Sequence, residues 1–339
     1  MTKKTALNAI LFAVSFSIGG AVFAYLLWQE GLSSILSFLQ HFGWWSFGGF
    51  VVLSIINFSL YSWRWQLIIN SHLPSEQKIP LRRVFFHRMA GYAFSYLTPA
   101  AQIGGEPVRI GMLMSDGVPG KKATSSVILD IALELIVYLS FIMAGVLLAV
   151  YEGVADDGQL GLMAIGLVFG LLIIFGFFLS IARGKYYFWR MFRFFRLHKI
   201  KRFQKTETLI KETEDLMTSF LQTDIWRLLL IFILAVVVMG YCVFEVIYIA
   251  YFFGVNLTFG QAFLAGTLPG IALIMPVPAG FGIFEGGFSA VFSFLSIPLS
   301  AIAFTLIIRL RDAFFVAVGL AHAIKQGGIL FRTRRWLKK

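Results

Sequence analysis

Long apolar runs separated by short polar segments extend along most of this chain, and they predict membrane-spanning helices. A helix needs about 20 apolar residues to cross a hydrocarbon core of about 30 Å. Six runs reach about that length, namely 6–27, 43–63, 125–150, 160–182, 227–253 and 299–324. Two further apolar regions, 81–116 and 260–297, are interrupted by proline and glycine near their middle. The pattern predicts an all-α integral membrane protein with about six full transmembrane helices and two broken helical regions.

The composition agrees with this interpretation. The chain has 339 residues, of which 58% are hydrophobic and 14% charged, with a mean hydropathy of +0.81, whereas a soluble domain carries about 25% charged residues. The single cysteine, Cys242, excludes an internal disulfide, and the five histidines do not have the spacing of metal ligands. We therefore expect neither a metal nor another cofactor.

The net charge of +12 is concentrated in a few segments, and these segments predict the topology. Cytoplasmic segments of membrane proteins are rich in lysine and arginine. This places both termini, 64–124 and 183–226 in the cytoplasm, and the acidic loop 151–159 and the connection 254–260 outside. We expect a multi-pass protein of the cell (plasma or inner) membrane. Its basic segments suit anionic lipid headgroups, and we expect no nucleic-acid partner.

This topology makes the two broken regions re-entrant hairpins that enter the membrane from opposite faces. Their central sequences are Pro99-Ala-Ala-Gln-Ile-Gly-Gly-Glu106 and Pro278-Ala-Gly-Phe-Gly-Ile-Phe-Glu285. In each, a glutamate follows the proline by seven residues, with small residues between them. Such internal repeats with inverted topology occur in many secondary transporters. The sequence therefore predicts an inverted repeat.

The whole chain, 1–339, is interpreted as one polytopic domain. Its predicted parts are 1–42 with the first helix and outer loop, 43–150 as repeat one with hairpin 81–116, 183–226 as a cytoplasmic basic and amphipathic segment, 227–324 as repeat two with hairpin 260–297, and 325–339 as a basic tail. The basic part of the cytoplasmic segment has a default role in topology. The amphipathic helix predicted at 203–222 is at least as consistent with packing on the ends of the bundle as with lipid contact.

Charged residues inside the last apolar run are the strongest candidates for function. Arg309, Arg311 and Asp312 lie near the centre of 299–324, where an ionised side chain costs about 2.5–3.5 kcal/mol on insertion scales. Arg309 and Asp312 are three residues apart, so we expect them to share a helix face and partly neutralise each other. Arg311 needs another partner. A buried ion pair that fixes helix packing is one interpretation, and a site for an anionic substrate is the one we favour.

Other carboxylates also lie within predicted spans. Asp130 and Glu134 share a helix face and repel each other unless a cation or a proton intervenes. Arg88 and Arg109 are candidate partners for them. Glu245 is expected to meet Arg309 or Arg311. A proton relay and a structural salt-bridge network are about equally consistent with these positions.

The hairpin centres carry the remaining candidate residues. Half-helix N-termini within a membrane expose N–H groups that attract phosphate. The glycines and glutamates in question are Gly104, Gly105, Glu106, Gly280, Gly282 and Glu285. Glu106 and Glu285 are equally explained as favourable partners of the helix N-termini themselves. The segment 117–122 lacks the spacing of a phosphate-binding loop, so we expect no ATP motor, and no catalytic motif indicates an enzyme.

Two motifs resemble a known family. They are Tyr96-Leu-Thr-Pro-Ala-Ala-Gln-Ile-Gly-Gly-Glu-Pro-Val-Arg109, followed by Ser125-Ser-Val-Ile-Leu-Asp130, and Pro276-Val-Pro-Ala-Gly-Phe-Gly-Ile-Phe-Glu285. The chain is similar in these motifs to the flippase-like family named for the transmembrane region of lysylphosphatidylglycerol synthase. The resemblance implies a domain that moves lipids or lipid-linked headgroups between leaflets, without fixing the lipid. The short basic tail leads us to expect no aminoacyl-transferase activity.

We therefore expect a lipid translocase without ATP hydrolysis. Arg309 and Arg311 would bind the phosphate of an anionic or aminoacylated lipid, with Arg109 at the cytoplasmic entrance. Glu106 and Glu285 would shape the hairpin tips or bind an amine-bearing headgroup.

We expect Arg309→Ala to abolish transport without unfolding the protein. Proton coupling through Asp130, Glu134 and Glu245, and homo-oligomerisation, stay open. The alternatives are a membrane enzyme or accessory protein of glycolipid, hopanoid or polyprenyl-phosphate metabolism, and a scaffold that recruits a partner through 183–222.

Overall fold

The computed structural model describes residues 28, 32–98, 104–151, 157–194, 204–222, 225–270 and 277–336. Within these residues the chain forms eleven α-helices and no strand. The predicted first span at 6–27 lies outside the described residues, as do 99–103 of the first hairpin centre, 271–276 of the second hairpin and 152–156 of the acidic loop.

The helices follow one another with short connections. They are α1 (Leu32–Ser71), α2 (Leu81–Leu97), α3 (Glu106–Ser115), α4 (Gly120–Tyr151), α5 (Asp157–Ala182), α6 (Tyr187–Phe194), α7 (Gln204–Leu221), α8 (Ile225–Phe252), α9 (Phe259–Thr267), α10 (Ile283–Phe294) and α11 (Ala301–Trp336). Short 3₁₀ turns lie at Ser75–Gln77 and Pro278–Gly280. The predicted all-α class is confirmed.

Three of the described helices are long and apolar enough to cross a membrane. They are Phe42–Ser71 within α1, Gly120–Leu148 within α4, and α8, and they overlap the predicted spans 43–63, 125–150 and 227–253. The segment Val168–Ala182 is long and apolar enough only when it is joined to α6, and a bend of 112° separates the two. The last predicted span, 299–324, corresponds to α11 from Ala301 onward, and α11 carries the charged residues. Helix α1 continues beyond the second predicted span to Ser71.

The first interrupted region folds back on itself as two antiparallel helices, α2 and α3. At its tip, the backbone N–H of Gly105 donates to Ser95 Oγ over 2.9 Å. At its base, His87 Nε2 lies 2.8 Å from Asp116 Oδ2. The chain therefore enters and leaves this hairpin on the same side.

The second interrupted region has the same form, built from α9 and α10. At its base, Gln261 Nε2 donates to the carbonyl oxygen of Leu295 over 3.2 Å. Towards its tip, Gly287 lies beside Pro269. The turn at Pro278–Gly280 precedes Gly282, whose φ of +80° is a conformation that favours glycine. Within the described residues, both broken regions are thus pairs of helices that lie side by side.

Helix α11 packs against both hairpins, and they approach it from opposite ends. Eighteen residues after Phe304 along α11, His322 Nε2 lies 3.2 Å from His87 Nδ1 at the base of the first hairpin. Near its N-terminal end, the ring of Phe304 packs against Phe288 and Phe292 of α10. The described ends of the two hairpins meet at Arg309, in the first third of α11.

The amphipathic segment predicted at 203–222 corresponds to α7, and it packs on the bundle. Met217 and Phe220 are fully buried in a cluster with Ile68 of α1, Leu129 of α4 and Phe177 of α5. Packing on the ends of the bundle, one of the two interpretations left open by the sequence, therefore describes this face of α7.

Close approach of the two arms of the first hairpin gives a stability prediction. A Cβ atom at Gly105 would overlap the carbonyl oxygen of Gly91 and come within 2.6 Å of Ser95 Oγ. We expect Gly105→Ala to lower the free energy of unfolding by about 1–3 kcal/mol, as overpacking does. Denaturant unfolding of the purified protein in detergent measures this change.

Gly111 in α3 supplies the matched control, since a Cβ there meets nothing within 4 Å. Gly111→Ala should leave stability unchanged or raise it by about 0.5–1 kcal/mol through helix propensity. Equal effects of the two substitutions would contradict the close packing of the hairpin arms.

Candidate functional site

Arg309 of α11 lies where the two hairpin tips meet, and its guanidinium bonds to both of them. Nη1 donates to the hydroxyl of Tyr96 in α2 over 2.9 Å and to the carbonyl oxygen of Ala279 over 2.7 Å. Nε donates to Glu285 Oε1 over 2.8 Å. The Arg309 side chain is 13% exposed and that of Glu285 is fully buried. One charged side chain thus connects α11 to both hairpins.

The third nitrogen of the same guanidinium is the feature that suggests a ligand. Arg309 Nη2 is buried and has no hydrogen-bond partner among the described residues. A buried donor without an acceptor is unfavourable by about 1–3 kcal/mol, and by more when it is charged. An anionic oxygen placed at Nη2 would satisfy it.

The expected pairing of Arg309 with Asp312 is wrong. Arg309 pairs with Glu285, while Asp312 pairs with Arg311 at 2.9 Å. Arg311 Nη1 also contacts Glu245 Oε1 at 2.9 Å, which confirms one of the two partners expected for Glu245. Helical spacing placed Arg309 and Asp312 on one face, but the carboxylate supplied by α10 is the partner of Arg309.

A second charged cluster surrounds Asp130 of α4, which is fully buried. Arg64 Nε donates to Asp130 Oδ1 over 2.9 Å, Arg109 Nη2 to Oδ2 over 2.5 Å, and Arg88 Nη2 also to Oδ2. The expected partners Arg88 and Arg109 are confirmed. Arg64 was missed, because it was assigned to a loop. The apolar stretch Trp-Gln-Leu-Ile-Ile that follows it was the signal that α1 continues.

Two more carboxylates complete this cluster. Glu134 is 36% exposed and lies 3.2 Å from Arg64 Nη2, so Arg64 is shared between Asp130 and Glu134 and relieves their repulsion. Glu106 Oε2 accepts from Arg109 Nη1 over 2.9 Å. The Nε atoms of Arg88 and Arg109 have no partner among the described residues. The cluster therefore keeps unused donors despite its carboxylates.

Aromatic rings cover the cations of this cluster. The guanidinium of Arg88 lies 4.1 Å from the ring centroid of Tyr61, and that of Arg109 lies 4.1 Å from that of Trp65. Such contacts stabilise a desolvated cation by about 2 kcal/mol. Contacts of Tyr61 and Trp65 with these cations were not predicted from the sequence, since aromatic residues occur throughout the chain.

The arginines and carboxylates of the two clusters can be counted together. The arginines are Arg64, Arg88, Arg109, Arg309 and Arg311, and the carboxylates are Glu106, Asp130, Glu134, Glu245, Glu285 and Asp312. Around Asp130 three arginines meet three carboxylates, whereas Arg309 and Arg311 meet three carboxylates between them, so the described residues contain one carboxylate more than arginines and the excess lies at Arg311. A bound proton or the amine of a headgroup would balance it.

The predicted hairpin residues have roles in the turns themselves. Glu285 Oε2 accepts the backbone N–H of Gly282 over 2.8 Å at the start of α10. Glu106 lies in the first turn of α3, next to Pro107. Gly280, like Gly282, has positive φ, while Gly104 lies against Thr98 across the first hairpin. The two glutamates therefore stabilise helix starts as well as pairing with arginines.

Comparison with known proteins gives one match. A family model described as the lysylphosphatidylglycerol synthase TM region matches residues 10–319. No curated protein and no solved structure matches the chain.

Proposed function

The chain belongs to the family of the lysylphosphatidylglycerol synthase transmembrane region, and on this premise we propose that it is a lipid translocase that works without ATP hydrolysis. The family match makes it a membrane protein of lipid metabolism or transport. The observation that carries the narrower proposal is Arg309, a buried cation that contacts both hairpins and has one donor that no described residue satisfies. We propose a transporter and not an enzyme.

The proposed topology has six full transmembrane helices and two re-entrant hairpins in an inverted repeat. Its support is that each hairpin folds back on itself and that the two approach α11 from opposite ends. Together with the basic loops, this geometry suits a protein of the cell membrane with both termini in the cytoplasm. Sites between such repeats commonly lie near the bilayer midplane.

In this proposal the phosphate of an anionic lipid binds Arg309, and its acyl chains stay in the bilayer. Arg309 Nη2, which has no partner among the described residues, would donate the first hydrogen bond to the phosphate. Further bonds would form if Nε released Glu285 or Nη1 released Tyr96 and donated to the phosphate instead. Arg109, with its own unsatisfied Nε, would meet the headgroup at the cytoplasmic entrance. Arg311 would reach a phosphate only by giving up Glu245 or Asp312.

The excess of one carboxylate over the arginines supports coupling to protons. Headgroup phosphate entering the network adds negative charge that the five arginines cannot balance while all six acids are ionised. Uptake of a proton by one acid with the lipid, and its release on the other side, would keep the buried charge constant. Among these six acids, the side chain of Glu134 is the most exposed, at 36%.

Leaflet exchange in vesicles tests the proposal. Purified protein is reconstituted with fluorescent phosphatidylglycerol, aminoacylated phosphatidylglycerol or phosphatidylcholine, with and without a pH gradient, and quenching of the outer leaflet is followed. We expect exchange of the anionic or aminoacylated lipid to exceed that of phosphatidylcholine and to respond to the gradient. Exchange no faster than in protein-free vesicles for every lipid would refute it, and a new lipid product would identify an enzyme.

A further inference from the structure

Arg311 of α11 serves two carboxylates by itself. Its Nε donates to Asp312 Oδ1 over 3.0 Å, and its Nη2 lies 2.9 Å from the same oxygen. Its Nη1 donates to Glu245 Oε1 of α8 over 2.9 Å and to Ser54 Oγ of α1 over 3.4 Å. All three guanidinium nitrogens are therefore engaged. Among the described residues, no other cation lies within ion-pair distance of these two carboxylates.

The charges at this site do not balance. One guanidinium faces two carboxylates, and both are buried, since Glu245 is 9% exposed and Asp312 is 5% exposed. In the rest of the network, four arginines meet four carboxylates. A buried carboxylate that lacks a cation is so unfavourable that it takes up a proton instead. The excess negative charge at Arg311 therefore predicts a protonated acid.

The hydrogen bonds indicate which of the two acids holds this proton. Asp312 contacts two nitrogens of Arg311 and also accepts from the hydroxyl of Tyr92 in α2. Glu245 accepts from Arg311 Nη1 alone among the described residues. Hydrogen bonds donated to a carboxylate favour its charged form. Asp312 therefore keeps its charge, and the proton lies on Glu245.

The other groups around Glu245 supply no positive charge that could replace the proton. Tyr241 lies one turn before it on α8, with its hydroxyl 3.1 Å from Ser54 Oγ. Cys242, also on α8, interacts electrostatically both with Glu245 and with Glu134 of α4. Helix α9 packs against the same part of α8 and contains no titratable residue. The surroundings thus favour the neutral form of Glu245.

We propose that Glu245 binds one proton in the resting protein, and that this is the proton exchanged when a lipid is moved. The first statement stands on the geometry at Arg311, and the second rests on the translocase function proposed above. Release of the proton to water would leave two ionised carboxylates on one guanidinium. Proton release is thereby linked to the contact between α8 and α11, the helix that also carries Arg309.

Infrared spectroscopy of the full-length protein in an ester-free detergent tests for the proton directly. A protonated carboxyl has a carbonyl band that an ionised carboxylate lacks. We expect such a band at neutral pH. It should shift when the glutamates are labelled with ¹³C at the side-chain carboxyl, remain in place when the aspartates are labelled, and disappear in Glu245→Gln. Glu134→Gln, the same change in the balanced part of the network, should keep it.

A folded wild-type protein without this band would overturn the proposal. A band that shifts with labelled aspartate would overturn it as well, because the proton would then lie on Asp312 or on another aspartate.

The pH dependence of unfolding in detergent is an independent measurement. Between about pH 6 and 9 a carboxyl of the unfolded chain is ionised, so a native state with a proton on Glu245 binds one proton more than the unfolded state. Native stability then falls as the pH rises. Relative to Glu245→Gln, the unfolding equilibrium constant of the wild type should rise by up to about tenfold per pH unit. Glu134→Gln should follow the wild-type profile, and parallel profiles for wild type and Glu245→Gln would overturn the proposal.

The vesicle assay separates this proposal from the proposed function. Glu245→Gln should abolish the response of lipid exchange to a pH gradient, and Glu134→Gln should retain it. A response that survives in Glu245→Gln, or a wild-type rate that is independent of the gradient, would overturn the coupling role of Glu245. The band from Glu245 without any lipid exchange would refute the translocase and leave the proton site intact, whereas lipid exchange without the band would do the reverse.

Discussion

Asp130→Asn is expected to lower the free energy of unfolding by about 3–5 kcal/mol, the range found when one partner of a buried ion pair is removed. Asp130 is the carboxylate shared by Arg64, Arg88 and Arg109, and all four side chains are almost fully buried. Asparagine keeps the shape but has no charge, so three guanidiniums would face one another with only Glu106 and Glu134 nearby. Thermal and denaturant unfolding in detergent, together with the yield of monodisperse protein, measures the loss.

Glu134→Gln is the matched control for this substitution. It removes the same charge from the same helix, one turn away, but Glu134 is 36% exposed and contacts Arg64 alone among the arginines. We expect a loss of less than about 1 kcal/mol, as for partly exposed pairs. Asp130→Asn leaves an excess of buried positive charge. Removing one of the cations as well, in Asp130→Asn with Arg88→Met, should therefore recover part of the lost stability. If Asp130→Asn unfolds at the wild-type temperature, the cluster does not hold the helices together.

Helices can be predicted from the sequence more readily than the ion-pair partners of charged side chains, for a physical reason. The helices α4 and α8 and the turns of the hairpins follow from local composition, since lipid demands apolar helices and proline with glycine breaks them. The partner of a charged side chain depends on which helices pack together. Spacing along α11 placed Arg309 and Asp312 on one face, yet Glu285 reaches Arg309 from another helix.

Arg64 shows that a buried arginine can be mistaken for a loop residue when topology is assigned from charge. Arginines beyond an apolar run are ordinarily counted as loop residues, and Arg64 follows such a run. In the structure it lies inside α1, fully buried and bonded to Asp130. The tyrosines Tyr61 and Tyr96 could not be selected from eleven tyrosines in the sequence, because their role comes from the cations they meet across helix pairs.

Loss of lipid transport on neutralising Arg309 is the second large effect we expect, and the structure changes how it must be measured. Arg309→Ala would leave Glu285 fully buried without a cation, which destabilises a protein by about 3–5 kcal/mol. The substitution is therefore expected to weaken the fold as well as transport. The expectation of an intact Arg309→Ala protein, drawn from the sequence, does not take account of this pair.

Removing both charges together separates transport from folding. Arg309→Met with Glu285→Gln keeps the volume of both side chains, and glutamine can still accept the N–H of Gly282 that Glu285 Oε2 accepts over 2.8 Å. Well-packed neutral replacements of a buried ion pair are often neutral or stabilising. We expect unfolding within about 1–2 kcal/mol of wild type, and anionic lipid exchange reduced on the order of 10- to 150-fold, the equivalent of one lost hydrogen bond to a charged group.

Arg309→Lys tests whether charge alone is sufficient. Lysine keeps the cation, but its single nitrogen cannot reproduce the planar fork by which Arg309 contacts Glu285, Tyr96 and Ala279 together. Exchange should fall between the wild type and the doubly neutral variant if joining the hairpin tips matters, and remain at the wild-type rate if only the positive potential matters. If a folded Arg309→Met, Glu285→Gln protein moves anionic lipid at the wild-type rate, the assignment of Arg309 to the transport site is wrong. Transport would then occur without the cation that contacts both hairpins.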